Sequence, residues 1–436
     1  LNKNDIITLI NTNQYKTAIE IGTGLGKFTK ILLDTTSLER ICTIDKWEQW
    51  DEEKRDSEYH YFESNGDQRF KEAKANIEKY KDKVKLIRKS SRRAMSRIKD
   101  KESDVCCIDG DLRVEGLLGD LRQSFNKIRI GGLVFGFYYE DDKETGMKKN
   151  TPRRRYRQKA KSNVKTIIDV FAEEYGQDIQ VTDDKCWYYI KKDRPPQKEK
   201  LDIEIAIHTY HYQHRLCWML NSILQQKGNV PNILVSISHV KNDGTPTTSE
   251  VCDFFRKQGL NIKENILEDK NKGNRAIGRN IQTKETQADW ILFVDSDMVY
   301  DPYFFEDIQK QLKNKLAKET RVIGADRVSL DIPFCIKYFE DDKRNYPCII
   351  GDVADIASQW KVKWVRGKGT APGNFQLANV NVIKCRGRVY TYREGDIWRA
   401  TKSDRHFRLN MGGRTGMDVK AQYHLNHDRG GPEIQR

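Results

Sequence analysis

Hydrophobic and polar positions along this chain alternate in two registers. Short apolar runs bounded by turn residues predict strands, and the stretches between them carry apolar residues at helical spacing. In the first half, strands are predicted near Thr17–Ile21, Arg40–Ile44, Val84–Ile87, Asp104–Ile108 and Gly132–Phe137, with a helix over Glu115–Asn126. Ile179–Thr182 and Cys186–Ile190 predict an antiparallel hairpin. The pattern restarts at Leu201 with a strand at Ile203–Ile207, a helix from about Gln213 to Gln225 and a strand at Ile233–Ser238. Trp290–Val294 is a further run, apolar throughout, as a strand covered on both faces requires. Beyond it, Asp301-Pro302 predicts a helix N-cap and first helical residue, and Phe304, Ile308, Leu312 and Leu316 give one apolar face. Between the halves lies Lys191–Lys200, charged and holding the chain's only Pro-Pro. Strand–helix alternation on both sides predicts two doubly wound α/β domains. Their expected bounds are 1–192 and 201–436, with a linker at 193–200.

The apolar run at Trp290 ends in Asp295-Ser296-Asp297, two carboxylates one residue apart. Such charges repel and resist burial unless a cation lies between them. Oxygen donors of this kind suit Mg²⁺ or Mn²⁺ with substrate phosphates, at the strand's carboxyl end, where open α/β sheets bind ligands. An Asp-rich turn is the plain alternative.

Length and charge narrow the classes. The 436 residues are 37% hydrophobic and 33% charged, and no run approaches the ~18 apolar residues of a membrane span. No signal-peptide pattern opens the chain, and nine scattered cysteines form no C-x-x-C pair, which leads us to expect a reducing, cytoplasmic setting. The net charge of +14 favours a polyanionic partner: nucleic acid, acidic glycan or anionic membrane. Nine Lys and Arg fall between Lys148 and Lys165 with no acid among them, and Tyr156 is interleaved. That run reads either as a solvated face or as a docking patch for phosphates and bases.

In the first half, Glu20-Ile21-Gly22-Thr23-Gly24-Leu25-Gly26 closes the first strand and Asp45 closes the second. The spacing is G-x-G-x-G; position 27, where a dinucleotide fingerprint has its third glycine, is Lys27. With Asp109-Gly110-Asp111, Asp120-Leu121 and Gly131–Gly136, this resembles the class I S-adenosylmethionine-dependent methyltransferases, specifically the family 24 group. The resemblance covers about residues 10–190. It implies a Rossmann-like fold and assigns S-adenosylmethionine contacts to Glu20, Gly22, Gly24, Gly26, Asp45 and Asp109. Two positions depart from that group: Leu112 stands where a His is usual, and Phe137 where an acid or His is usual. Cofactor binding can survive those changes, but proton or metal handling at the two positions cannot.

In the second half, His208-Thr209-Tyr210 ends the first strand, and Asn274–Asn280 precedes the acidic motif. In this order the motifs resemble the GT-A fold of nucleotide-sugar glycosyltransferases, in particular the inverting family 2, over about residues 201–430. The resemblance implies nucleoside contacts at Thr209 and Tyr210. Arg275, Arg279 and Asn280 would lie along the diphosphate, and Asp295 and Asp297 would hold Mn²⁺ or Mg²⁺. His424 and His427 resemble the Met and His at equal spacing that beta-1,4-galactosyltransferases place around their metal. Asp404 corresponds to the catalytic base, and Arg366–Leu377 to a glycine-rich acceptor loop, with Trp364 or Trp398 available to stack on a sugar. The second strand ends in Ser238-His239 rather than the usual acid that reads uracil, so the base stays open.

The expected function is therefore metal-dependent inverting glycosyl transfer from a nucleotide sugar, beside a methyltransferase-like domain. Hydroxymethylated DNA is the favoured acceptor. A surface glycan with an active sugar methyltransferase is the alternative, and a non-catalytic nucleic-acid-binding scaffold is the alternative from another class.

Overall fold

The apolar runs become the strands of separate sheets in two units, Leu1–Gln197 and Lys198–Arg436. The computed structural model describes residues 3–47, 66–141, 163–196, 198–272, 274–313, 322–325, 328–330, 375–386, 407, 414–417 and 422–425.

The first unit runs α1 (Lys3–Thr12), β1 (Thr17–Ile21), α2 (Lys27–Thr35), β2 (Arg40–Asp45), α3 (Gly66–Asn76), β3 (Val84–Arg88) and α4 (Ser91–Met95). It continues with β4 (Ser103–Ile108), α5 (Val114–Lys127), β5 (Ile128–Gly136), α6 (Val164–Tyr175), β6 (Gln180–Val181) and β7 (Trp187–Ile190). The strand order is β3-β2-β1-β4-β5-β7-β6. The first five strands are parallel, and β7 and β6 add on antiparallel. Ile19, Val105, Cys106, Leu133 and Val134 are buried to within 1% exposure, as strands covered by helices on both faces must be. β5 starts four residues earlier than its apolar run predicts. Its pairing with β4 shifts register between Ser103 and Val105, and Gly131, at φ +77°, takes up the extra length.

The second unit runs β8 (Asp202–His208), α7 (Gln213–Leu224), β9 (Asn232–Val240), α8 (Thr248–Lys257), β10 (Ile262–Leu267), α9 (Arg275–Glu285), β11 (Trp290–Val294), β12 (Met298–Tyr300) and α10 (Phe304–Gln311). Then follow β13 (Val322–Ala325), β14 (Val328–Leu330), β15 (Phe375–Asn379), α11 (Val380–Arg386), β16 (Arg414–Met417) and β17 (Gln422–Leu425). The large sheet has the order β10-β9-β8-β11-β15-β13-β16, and β12-β17-β14 form a small one. β8 to β11 are parallel, whereas β15 enters antiparallel beside β11. All five residues of β11 are buried, each stabilising the core by about 1.5–3 kcal/mol relative to exposure.

One helix start differs from expectation. α10 begins at Phe304, not at Pro302. Asp301 instead makes a turn, its carboxylate accepting the Tyr303 N–H at 2.9 Å. The Asp301 carbonyl is held by the Gln226 side-chain amide and the Pro302 carbonyl by the Lys227 N–H, so the end of α7 pins both residues.

The proline segment is tied down at each end. Lys191 Nζ donates to the Ile128 carbonyl at 2.6 Å, Lys192 N–H donates to Gln177 Oε1, and the Arg194 guanidinium lies 4.2 Å from the Tyr175 ring centroid. On the far side Lys198 pairs with Asp202 and Asp289.

Candidate functional site

The carboxyl ends of β8, β9 and β11 meet where the chain switches from one side of β8 to the other, the usual ligand crevice of an open α/β sheet. Pairing of Val294 with Ile207 puts Asp295 beside His208. α9 crosses these strand ends closely. The Gln282 amide donates to the carbonyls of Ile207 (3.0 Å) and Ser236 (2.6 Å), and Asn274 caps the helix by accepting the Ala276 N–H. Gly278 makes the crossing possible: a Cβ there would lie 2.5 Å from Ser238 Cβ and 3.1 Å from His208 Nδ1.

That placement aims Arg275 and Arg279 at the acidic motif. Arg275 donates to Asp295 Oδ1, and Arg279 Nη2 lies 3.8 Å from the same oxygen. Arg279 is 1% exposed, with its guanidinium 5.5 Å from the Phe293 ring centroid. Asp297 is buried at 7% exposure. An ionised side chain in such a place costs several kcal/mol of desolvation. An apolar residue would serve stability better, so its presence points to chemistry. β12 then pairs with β17 with Met298 opposite His424, which brings the backbone of His424 next to the motif.

Thr209 is buried, with its N–H donating to the Ser238 carbonyl at 3.1 Å, and Tyr210 is half-buried with Lys272 Nζ 5.4 Å from its ring centroid. Asn280 is half-buried on α9. Asp404, His427, Trp364 and Trp398 lie outside the described residues, as does the glycine-rich stretch up to residue 374. Phe375, the first residue after that stretch, pairs with Val294 at the strand end. Phe407, three residues beyond Asp404, packs edge-on against Phe293 at 5.3 Å. Among the described residues no set of three or more His, Cys, Asp or Glu is arranged to hold a metal. Asp295 and buried Asp297 fit one as oxygen donors, with the histidine half of the candidate set on and after β17.

Two residues of the site carried no assigned role in the sequence. His208 sits at the end of β8, and burial beside Arg275 and Arg279 pushes its pKa down to about 4, so it is neutral near pH 7. Its Nε2 faces the Lys272 carbonyl at 2.9 Å. Tyr212 has its phenol pKa raised by burial first and then by Asp297 and Asp295, while Arg215 and Arg275 oppose the rise. A polar residue at the end of an apolar strand was the available signal for His208. Tyr212 had none.

In the first unit, Gly22, Gly24 and Gly26 all have positive φ. At Gly22 only glycine fits, because a Cβ would come 2.0 Å from the Asp109 carbonyl oxygen. Asp45 accepts the N–H groups of Gly24 (2.9 Å) and Trp47 (3.0 Å), and the Trp47 indole donates to the Gly24 carbonyl. Glu20 is buried and accepts from Thr29 at 2.5 Å; burial foremost, then Asp109 and Asp45, raises its pKa to about 8 despite that bond. The loop suits a nucleoside cofactor. At the two positions that depart from the methyltransferase pattern, Phe137 packs into an aromatic group with Phe28 (5.5 Å) and Phe135 (6.1 Å), and Leu112 is half-buried.

A family model described as Glycosyl transferase family 2 matches residues 204–319, and one described as Methyltransferase domain matches residues 19–136. The second unit thus carries a glycosyltransferase domain and the first a methyltransferase-fold domain. The first of these matches ends before Asp404, His424 and His427.

Among solved structures, S. aureus TarS 1-349 in complex with UDP is 17% identical, covering 51% of this chain and 60% of that one at TM-score 0.36. The same protein in complex with UDP-GlcNAc is 16% identical, covering 54% and 60% at TM-score 0.37. A putative caffeoyl-CoA O-methyltransferase from Staphylococcus aureus is 17% identical, covering 43% and 82% at TM-score 0.30. The chain thus spans about three fifths of the TarS 1-349 structures. No curated protein matches it. No described helix is long and apolar enough to cross a membrane.

Proposed function

We propose that the second unit transfers a sugar from a nucleotide-sugar donor to an acceptor hydroxyl with inversion. The observation that carries this is the junction of Arg275 and Arg279 with Asp295 at the shared ends of β8 and β11. Guanidinium groups so placed can exchange from a carboxylate to a diphosphate, which likewise presents paired anionic oxygens to the N–H fork. Thr209 and Tyr210 flank the nucleoside, and Asn280 completes the donor side of α9.

Asp295, Asp297, His424 and His427 would hold the cation, Mn²⁺ or Mg²⁺. Bound there, it neutralises the leaving diphosphate. Asp404 takes the acceptor proton as the hydroxyl attacks the anomeric carbon. Neutral His208 adds no positive charge beneath the base, and Ser238, with His239, replaces an acid there.

The acceptor we favour is hydroxymethylated DNA, on the strength of the basic charge. The first unit then serves as a methyltransferase-fold platform that binds acceptor, with S-adenosylmethionine as a ligand its glycine loop still fits.

Calorimetric titration of UDP-, GDP- and TDP-sugars, with Mn²⁺ and with chelator, tests the donor reading. Binding of one donor that needs metal and disappears in Asp297→Ala is the expected result. No donor binding under any metal condition would overturn it and favour the non-catalytic scaffold. Donor-dependent labelling of a glycan but not of hydroxymethylated DNA would move the acceptor to the polysaccharide class.

A further inference from the structure

The strongest charge feature among the described residues lies on the first unit, away from the strand ends. Residues 66–101 hold fourteen Lys and Arg against five Asp and Glu, a net +9 of the chain's +14. They form α3, β3 and α4, and β3 is the last strand of the sheet on that side among the described residues. Lys83, Lys85, Arg92, Arg93, Arg97 and Lys99 are all exposed. Arg92, Arg93 and Arg97 form no ion pair with any described residue. Local acids do not cancel the excess: Asp67 goes to Arg88, and Asp100 to Lys127, which lies outside the segment.

Charged residues on an edge strand also guard against edge-to-edge pairing, and that is the plainer explanation. Two facts tell against it as the whole account. A guard needs one or two charges of either sign, not a net excess of nine positive charges around the edge. The opposite edge of the same sheet, β6 with its flanks over 176–190, carries three acids and one Lys. One sheet therefore has two edges of opposite charge, and protection from pairing asks for no such polarity.

We infer that the β3 edge of the first unit is a docking surface for the phosphodiester backbone of duplex nucleic acid. A dense linear polyanion neutralises many of these cations at once and gains from release of its counterions, which a small anion does not. An anionic membrane fits less well. Among the described residues the exposed large apolar ones are Ile31, Ile130, Tyr138, Val181, Ile190, Ile266 and Tyr303, and none falls within 66–101 to anchor in a bilayer. The contacts are to backbone phosphate, so this surface supplies affinity and register but no base sequence. The inference rests on the acceptor reading above only in its choice of nucleic acid, because the surface uses none of the donor-site residues.

The test uses the full chain, a fluorescein-labelled duplex and no nucleotide sugar, so that loss of docking and loss of transfer are separate results. Anisotropy titrations across a salt series compare wild type with Arg92→Glu/Arg93→Glu/Arg97→Glu and, as an opposite-edge control, Lys185→Glu. The triple variant is expected to bind about tenfold or more weaker, with the slope of log affinity against log salt reduced by about 3. Lys185→Glu should match wild type. Circular dichroism and urea unfolding of the triple variant, unchanged from wild type, check that the first unit is folded. If that variant does not fold, Arg92→Gln and Arg93→Gln singly should each lower the slope by about 1. Equal binding by the triple variant overturns the inference. So does a wild type that leaves the duplex for heparin or phosphatidylglycerol vesicles at equal charge concentration.

Discussion

Each unit gathers carboxylates at the carboxyl ends of its central strands, and the two treat them differently. In the second unit Asp295 is met by two guanidinium groups from α9, partners that can be exchanged for phosphate. In the first, both oxygens of Asp45 are taken by backbone N–H groups, Glu20 is buried and bonded to Thr29, and Phe137 packs among aromatic rings. One mouth keeps its charges in replaceable ion pairs and the other has locked them into the fold. The same α/β frame can thus leave the acids at its switch point in side-chain ion pairs or fix them in backbone hydrogen bonds. Which it is depends on what answers the carboxylates.

The sharpest way to break this contrast is to remove Asp295. Arg279 is almost wholly buried, and Asp295 lies 3.8 Å from its Nη2. Asp295→Ala should therefore destabilise the second unit by up to about 3–5 kcal/mol, because it removes a carboxylate that faces a buried guanidinium. Asp295→Asn, which keeps an acceptor for the arginines, should cost less while still losing donor binding. Hydrogen-exchange mass spectrometry localises the effect: β8 and β11 peptides lose protection and β1 peptides keep theirs. If Asp295→Ala left β8 and β11 as protected as wild type, the pairing would be ornamental.

Much of this site was legible because its signals are local. β11 announces itself as an unbroken apolar run, Asp295 and Asp297 interrupt it, and Arg275 and Arg279 stand four residues apart on one face of a helix. The glycine loop was legible for the same reason. What the sequence hid is non-local. The start of α10 obeys the end of α7, which captures the Asp301 and Pro302 carbonyls. Gly278 and His208 acquire meaning only when α9 crosses the sheet. The basic β3 edge is harder to read because its cations are spread among the apolar and small residues of β3 and α4: eight Lys and Arg with no acid run from Lys83 to Lys99, but no more than two are adjacent. The conspicuous run of Lys148 to Lys165 lies outside the described residues except for Lys165.

A second test acts on the locked mouth. Glu20 has its pKa raised to about 8 by burial, against about 4.5 in the unfolded chain. Between those values the native state holds a proton that the unfolded state has lost, so stability falls as pH rises from 4.5 to 8 and then levels off. Glu20→Gln removes that loss. The variant should match wild type near pH 4 and exceed it at pH 9 by at most about 4–5 kcal/mol. Urea titrations at the two pH values, followed by exchange in β1 peptides, read the difference. A variant less stable than wild type at pH 9 would show Glu20 ionised and held by unseen donors, and the first mouth would then resemble the second.

The smallest effect expected is at His208, and its sign is opposite. Burial beside Arg275 and Arg279 lowers its pKa to about 4, from about 6.5 when unfolded. As pH falls through that window the unfolded state takes up a proton that the native state refuses, so stability is lost between 6.5 and 4. His208→Gln removes this term while all other acid-labile groups remain. From pH 7 to pH 4.5 the variant should lose roughly 2–3 kcal/mol less than wild type. Equal losses would mean that His208 titrates normally, and that the two arginines do not project their charge onto the base side of the crevice. Their field would then end at Asp295, and under the proposed function the exchange of carboxylate for diphosphate would be the whole of their role.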